Sequence, residues 1–554
     1  MNHLSGSDAT FLHTESPEMP MHVGSLNVMD LPEGYSGDFF EDAKAHMMQR
    51  MHLADVFTRK LALMPFDLSN PVWVEDEDID MDHHIRHVTL PKPGSNRQLQ
   101  QLVARLHSSL LDRSRPLWEF FIIDGLKSGQ VALYTKVHHA GIDGQAGVAL
   151  GRAMFDTEAT GRHIKPPRVK ARRGQYQLGV AELAGAAIRN TVQQYVKLFK
   201  MAPAMAKAGR NMLVPAKDES GKRDWSLPKA SELFAPRTPL NVAITNQRSF
   251  AGRTVPLAEV KLIAKRMGVS VNDVVMATTA GALRRYLAES HELPAKSLSA
   301  MVPVSLREAG DTTANNQVSM IIANLATDVA DPVERLRKIN ESSSASKATM
   351  GRIKAAIPTD FPMFAAPWLM SGLTSMFGRS RLVNVIPPMA NLVISNVAGI
   401  PAQLYFAGAS VVSYYPVSIP AHGMALNVTV QSYNGRLDYG LIACRRALSD
   451  INELGDFMLS EHQVLLDLAK AQTPVEAAPA VAVAASVPAP AKQKAARKVA
   501  VTVAAKVAKK AVAKVALKRV PTVAVVKEVK AVRAPAKRAR KAATSDAPKI
   551  GLVA

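Results

Sequence analysis

Cysteine is all but missing: Cys444 is the single one among 554 residues. One thiol excludes an intrachain disulfide and a cysteine-based zinc cage, and it fits a reducing compartment. No window holds the roughly 18 uninterrupted apolar residues of a spanning helix, so any membrane contact is expected to be peripheral. The opening residues, MNHLSGSDATFLHTESPEMPMH, have no basic stretch followed by an apolar run, so no secretory signal is expected. No Gly-x-Ser-x-Gly elbow occurs, and Cys444 has no local signature of a nucleophile. A Ser/His/Asp or cysteine-based covalent mechanism therefore has little to stand on.

What is present is ordinary globular material with an unusual end. Hydrophobic residues make up 47% of the chain, enough for a sizeable core. The length suggests two to four domains, at roughly 100–200 residues each. The net charge of +21 is concentrated: residues 481–554 hold 18 Lys/Arg and two acids, leaving 50 basic and 45 acidic residues for the other 480. The tail therefore carries +16 and the remainder +5. Any reading as a polyanion binder rests on that tail.

Four segments are expected. Residues 1–160 mix short strands (21–29, 57–63, 117–123, 131–137) with helices (39–51, 97–111 and one after Asp143). Residues 161–240 are a connector. It holds six Lys/Arg and no acid between Arg162 and Arg173, then an amphipathic helix over 180–199. Residues 241–473 resume the α/β mixture, with a capping box at Ser270–Asp273 ahead of a long helix. Strands follow over 391–397, 424–431 and 436–443, with Asn434-Gly435 as a hairpin turn, and a closing helix over 450–471. From 474 the chain is Ala/Val/Lys/Pro without aromatics, and such a sequence stays disordered in isolation. Its rows of Val and Lys four residues apart suit a basic helix on an anionic surface: anionic lipid ahead of DNA.

The sharpest local feature is Tyr-Thr-Lys-Val-His138-His139-Ala-Gly-Ile-Asp143-Gly144. A strand runs into two histidines, whose side chains in an extended chain point to opposite faces. Asp143 sits near the start of the next helix, where a carboxylate is favoured and can anchor the turn. An imidazole with an ordinary pKa near 6.5 suits general-base work on a hydroxyl. The residues alone leave two readings open, a structural pair or a base beside a supporting group. A metal site fits the spacing poorly. The second cluster, His83-His84-Ile-Arg-His87, lacks the Asp-Gly and is read as structural.

These residues resemble the His-His-x-x-x-Asp-Gly motif of CoA-dependent acyltransferases. The opening Leu4-Ser-Gly-Ser-Asp8-Ala-Thr-Phe11-Leu12, then Pro20-Met-His22-Val-Gly24, Pro116-Leu117-Trp118, Asn272-Asp273, Pro303-Val-Ser305-Leu-Arg307 and Ser395-Asn396 are similar to segments of the bacterial wax ester synthase/diacylglycerol acyltransferase family. The last departs from the family's usual Ser-Asn-Val-Pro-Gly-Pro, reading Ser395-Asn396-Val-Ala398-Gly399-Ile400-Pro401. Ala-Asn-Asn316 stands where a Gly-Asn pair is common.

The resemblance implies two similar α/β domains, each a mixed sheet flanked by helices, with a tunnel between them. It implies acyl transfer from acyl-CoA to diacylglycerol or a long-chain alcohol, with His139 as general base. His138 and Asp143 would be supporting groups and Gly144 a packing position. Acyl-CoA is then a substrate and no cofactor or metal is needed. The site would be cytoplasmic, at the inner membrane face or on lipid particles. The competing functions are a condensation-type transferase acting on carrier-bound substrates, and a non-catalytic lipid-particle or DNA-binding protein using the tail. For Trp118, and for the apolar stretch Phe361–Met370, core packing competes with a ligand contact.

Overall fold

The computed structural model describes residues 2–4, 6–62, 70–142, 144–166, 234–290, 293–305, 318–354, 382–448 and 450–472. Asp143, the basic residues 168–173, the helix expected over 180–199, Arg307, Asn316, the stretch 361–370 and the tail 474–554 lie outside the described residues.

The first half runs β1 (Asn2–His3), α1 (Gly6–Thr14), β2 (His22–Asp30), α2 (Phe39–Arg50), β3 (Arg59–Ala62), β4 (Val72–Glu75), α3 (Met81–His84), β5 (Ile85–Thr89), α4 (Asn96–His107), β6 (Trp118–Asp124), β7 (Val131–His138) and α5 (Gly144–Met154). The second half runs β8 (Arg248–Pro256), α6 (Leu257–Met267), α7 (Val271–Ser290), β9 (Ser299–Ser305), β10 (Val318–Asn324), α8 (Pro332–Lys354), β11 (Leu392–Val397), β12 (Tyr405–Phe406), β13 (Ala409–Val417), β14 (Leu426–Tyr433), β15 (Arg436–Cys444) and α9 (Ile451–Ala471).

Two six-stranded mixed sheets result, ordered β12-β13-β2-β7-β6-β5 and β10-β9-β11-β14-β15-β8, with a small β1-β4-β3 sheet beside them. In the first sheet β5 and β6 are parallel and the other pairs antiparallel. Strands β12 and β13 come from the second half of the sequence, and β13 pairs along β2 from Ser410–Asp30 to Val417–Gly24.

The near-continuous apolar character of β6 and β7 follows from burial on both faces. Trp118, Phe120 and Ile122 join a core with Phe39 and Met47 of α2. Phe121 and Ile123 face the other way, onto Leu99, Leu102 and Val103 of α4. That second core also takes Phe250 of β8 and Ile442 of β15, so the two sheets share apolar packing through the α4 side. In the other sheet β14 and β15 turn Val428, Val430, Tyr439 and Leu441 into a core closed by α6, α7 and α9.

Local signals explain the element ends. Ser95 caps α4 in a reciprocal box with Gln98. Ser270 and Asp273 do the same for α7, with Ser270 N–H on Asp273 Oδ2 at 2.9 Å and Asp273 N–H on Ser270 Oγ at 3.3 Å. The β14–β15 turn places Asn434 and Gly435 at φ 41° and 75°, the left-handed pair a type I′ hairpin requires.

Candidate active site

Strand β7 ends at His138, and His139 begins a 3₁₀ turn over His139–Gly141. The two rings do occupy different environments, but the cause is the end of the strand rather than strand alternation. The backbone N–H of His138 is held by Leu117 O at 3.0 Å and that of His139 by Met21 O at 2.9 Å. The turn is thereby pinned between the Pro-Leu-Trp segment and the opening segment. Leu117 also packs with Ala140, Ala9 and Leu12, so these segments support the turn by burial as well.

His138 is fully buried. The N–H of Ala140 donates into its Nδ1 at 3.0 Å, which places the proton of the neutral ring on Nε2. That Nε2 faces Glu15 Oε1 at 3.3 Å. Glu15 is 3% exposed and takes further hydrogen bonds from Met21 N–H (3.1 Å) and from Arg113 Nη2 and Nε (2.7 and 3.1 Å). Burial works to raise the Glu15 pKa. Interaction with the His138 ring, the Arg113 charge and the Met21 amide outweigh it and hold the group at about 2. A carboxylate fixed in this way locks the His138 ring.

His139 differs in every respect. Its ring is half-buried and stacks on Phe11, with centroids 3.9 Å apart and planes 13° from parallel. Its Nδ1 is buried without a hydrogen-bond partner. Burial pushes its pKa down to about 4, against its own backbone carbonyl, which favours the cation. The ring is therefore a neutral base at physiological pH, braced on one face by an aromatic.

The other sequence-selected residues separate into two places. Pro116, Leu117 and Trp118 lie behind the turn, and Gly144 opens α5 after it. Trp118 has no exposure. Its Nε1–H donates to Phe57 O at 3.1 Å, and the ring stacks on His84 and meets Phe57 and Phe120. This is core packing, and the His83–His87 cluster is bound up in it through His84, whose ring nitrogen donates to Trp118 O at 2.7 Å. Trp118→Ala is expected to cost about 3–5 kcal/mol of stability, the usual loss for a buried large aromatic. Urea unfolding checks this. A variant that unfolds normally but no longer turns over would show instead that the indole serves a ligand.

Asn272, Asp273, Ser395 and Asn396 form the second place. Asn396 Nδ2 donates to Asn272 Oδ1 at 2.5 Å. Asp273 is buried and receives Ser270, Asn340 and Ser343, so it secures α7 against α8. Ser395 and Asn396 lie half-buried in the last three residues of β11. Gly399 beyond them is needed for close approach, since a Cβ there would fall 1.8 Å from Ser432 O. None of these contacts reaches His139. Asn396 pairs with Val430 of β14, whereas Ala425, which precedes that strand, shares a cluster with Met21 and Phe11. Five residues of strand separate the two, roughly 17 Å at about 3.4 Å per residue.

Sequence reasoning missed Glu15 and Arg113. Both lie within or beside the segments already quoted, but an acidic residue at a helix end and an arginine in a polar turn carry no local mark. Their meaning comes only from the 98-residue closure that joins them.

Two mixed sheets flanked by helices, with a histidine pair at the end of a central strand, are the arrangement of a CoA-dependent acyltransferase. Comparison with known proteins narrows this. Residues 4–275 match the wax ester synthase/diacylglycerol acyltransferase catalytic domain, and residues 314–465 match the C-terminal domain of the same family. A Mycobacterium tuberculosis H37Rv protein bearing the name diacylglycerol O-acyltransferase is 36% identical over 459 residues, covering 81% of this chain and 96% of the relative. The O-acyltransferase WSD of Acinetobacter baylyi is 34% identical over 473 residues, covering 84% and 97%. The solved wax ester synthase/diacylglycerol acyltransferase of Marinobacter aquaeolei VT8 superposes with a TM-score of 0.60 at 32% identity, covering 85% of this chain and all of that one. The chain belongs to the wax ester synthase/diacylglycerol acyltransferase family and is an O-acyltransferase.

Proposed function

We propose that the enzyme moves a fatty acyl group from acyl-CoA to the hydroxyl of diacylglycerol or of a long-chain alcohol, with His139 as the general base. The observation that carries this is the contrast within the histidine pair: one ring is locked by Glu15 and Ala140, the other is partly accessible and held neutral. The neutral imidazole takes the proton of the acceptor hydroxyl as its oxygen attacks the thioester carbonyl. The C–S bond then breaks, and the departing thiolate takes that proton from the imidazolium. An ester and free CoA result, with no acyl-enzyme. In keeping with this, Cys444 is fully buried and its Sγ accepts the Thr245 N–H at 3.4 Å.

Both acceptors are nearly insoluble in water, so the enzyme is proposed to work at a cytoplasmic lipid surface, on the inner membrane face or on lipid particles. Among the described residues no helix is long and apolar enough to cross a membrane. The basic segments at 162–173 and beyond 474 are proposed to supply the attraction to anionic lipid.

The test supplies purified enzyme with acyl-CoA and diacylglycerol, hexadecanol or no acceptor, following CoA release and ester. Ester formation with either acceptor, and no acyl group on the protein when the acceptor is omitted, is the expected result. A stoichiometric acyl-protein that an added alcohol discharges would overturn the direct-attack step.

A further inference from the structure

Away from the histidine turn, α4 and the start of α9 meet β8 and β15 around a groove of two lobes. The larger has a volume of about 540 Å³ and the smaller about 340 Å³, and they share Arg97 and Asn452 in their walls. Six arginines line the two lobes, Arg97, Arg105, Arg248, Arg253, Arg436 and Arg445, against one acid, Asp450. The 480 residues ahead of the tail carry only +5 between them, so this is a marked local excess of positive charge.

Some of that charge is committed. Arg253 pairs with Asp456 at 2.7 Å, and Arg97 stands 3.7 Å from Asp450. Asp450 is itself occupied by the Asn452 and Glu453 amides of α9. Arg436 donates to Val412 O at 2.9 Å, leaving the rest of its fork exposed. The Arg105 and Arg445 side chains are exposed and, among the described residues, have no hydrogen-bond or ion-pair partner. Gln100 borders the larger lobe with a buried Oε1 that no donor reaches, an acceptor suited to a hydroxyl or amine.

One wall of the groove is tied through the chain to the segment that holds His139. Arg248 in its wall donates to Glu18 O at 2.7 Å, and three residues on, Met21 O holds the amide of His139. Three residues span at most about 11 Å when extended.

From this juxtaposition we infer that the arginine groove receives the phosphate groups of the acyl donor, the phosphorylated nucleotide end of CoA. The inference rests on acyl-CoA being the donor, as proposed above. Planar guanidinium forks match phosphate oxygens in pairs. Concave lobes of a few hundred Å³ suit a small molecule rather than a nucleic-acid strand or a membrane plane. Two lobes in line suit a ligand whose phosphates are spread along its length, and the free acceptor of Gln100 suits a ribose hydroxyl or an adenine amine.

The experiment compares wild type with Arg105→Gln/Arg445→Gln, whose side chains support no other group, with each of the two single variants, and with Arg446→Gln as a control that removes one charge outside the groove. The KM for acyl-CoA is expected to rise about tenfold for each guanidinium that loses a phosphate, with kcat changed far less, and the control to match wild type. The wild type should also prefer acyl-CoA over acyl-dephospho-CoA, and the double variant should lose part of that preference. A KM within about twofold of wild type in the double variant, and again in Arg97→Gln/Arg436→Gln, overturns the inference. So does a normal KM accompanied by lost flotation with phosphatidylglycerol vesicles, which would make the groove a headgroup site. A wild-type enzyme that releases no CoA from any acyl-CoA would sink the donor reading itself, an outcome distinct from either.

Discussion

Replacing His139 with alanine is expected to lower turnover by roughly 10²–10⁴-fold, the contribution of a positioned general base. Stability should change little. The ring is half-buried, its Nδ1 makes no hydrogen bond, and only the stacked face against Phe11 is lost. Circular dichroism melts alongside steady-state rates separate the two effects. A His139→Ala protein that melts normally and keeps most of its turnover would transfer the base role elsewhere.

The acid limb of the rate profile gives an independent check on the same group. Burial lowers the His139 pKa from 6.5 to about 4, so the base form persists across the neutral range. In the free enzyme kcat/KM reports this ionisation, and the limb should fall near pH 4 rather than near 6.5. Stability has the same sign. A group with a depressed folded pKa favours folding above its unfolded pKa, and that contribution fades as pH falls from 6.5 toward 4. His46, held at about 4 by burial, and His107, at about 3, act in the same direction. Loss of stability should therefore begin in mildly acidic solution.

How far the sequence could be read depends on the range of each interaction. Helix α4 was visible because Ser95 and Gln98 cap it locally, and the β14–β15 hairpin because Asn434-Gly435 demands positive φ. The histidine pair was visible as a pattern of residue types. The strand expected over 131–137 runs to His138, and alternation does not extend to His139, because the chain turns there and Ala140 N–H comes back onto His138. Pairing of β13 with β2 was beyond reach, since register between distant segments is fixed by tertiary packing and not by local periodicity. Asn272-Asp273 carries two sequence readings, a family motif and part of a helix cap. Asp273 receives Ser270, Asn340 and Ser343, so the capping box legible at Ser270–Asp273 is present and extends to α8.

Glu15 is where three of the quoted segments meet, and changing it should have the second-largest effect on activity. Its carboxylate receives Met21 N–H from the opening segment, Arg113 from the turn before Pro116, and faces Nε2 of His138. Glu15→Gln keeps the shape but loses the charge; Glu15→Ala also removes the group that His138 Nε2 faces at 3.3 Å in a fully buried place. Because His139 follows directly on His138, release of that ring moves the base, and a misplacement of about 1 Å can cost on the order of 10²-fold in rate. The stability effect can be read against pH with a definite sign. The folded pKa of about 2 lies below the ordinary 4.5, so the contribution is complete above pH 4.5 and disappears as pH falls through 2. Its size at neutral pH is on the order of 3 kcal/mol, since a tenfold change in an ionisation constant corresponds to about 1.4 kcal/mol. The buried histidines lose their contribution in wild type and variant alike, so the difference between wild type and Glu15→Gln isolates the carboxylate. That difference, measured by urea unfolding, should be constant from pH 7 to 5 and shrink toward zero by pH 2. A difference that stays flat down to pH 3 while turnover is unaffected would mean that the Glu15 charge is supported by solvent and does not hold the histidine turn.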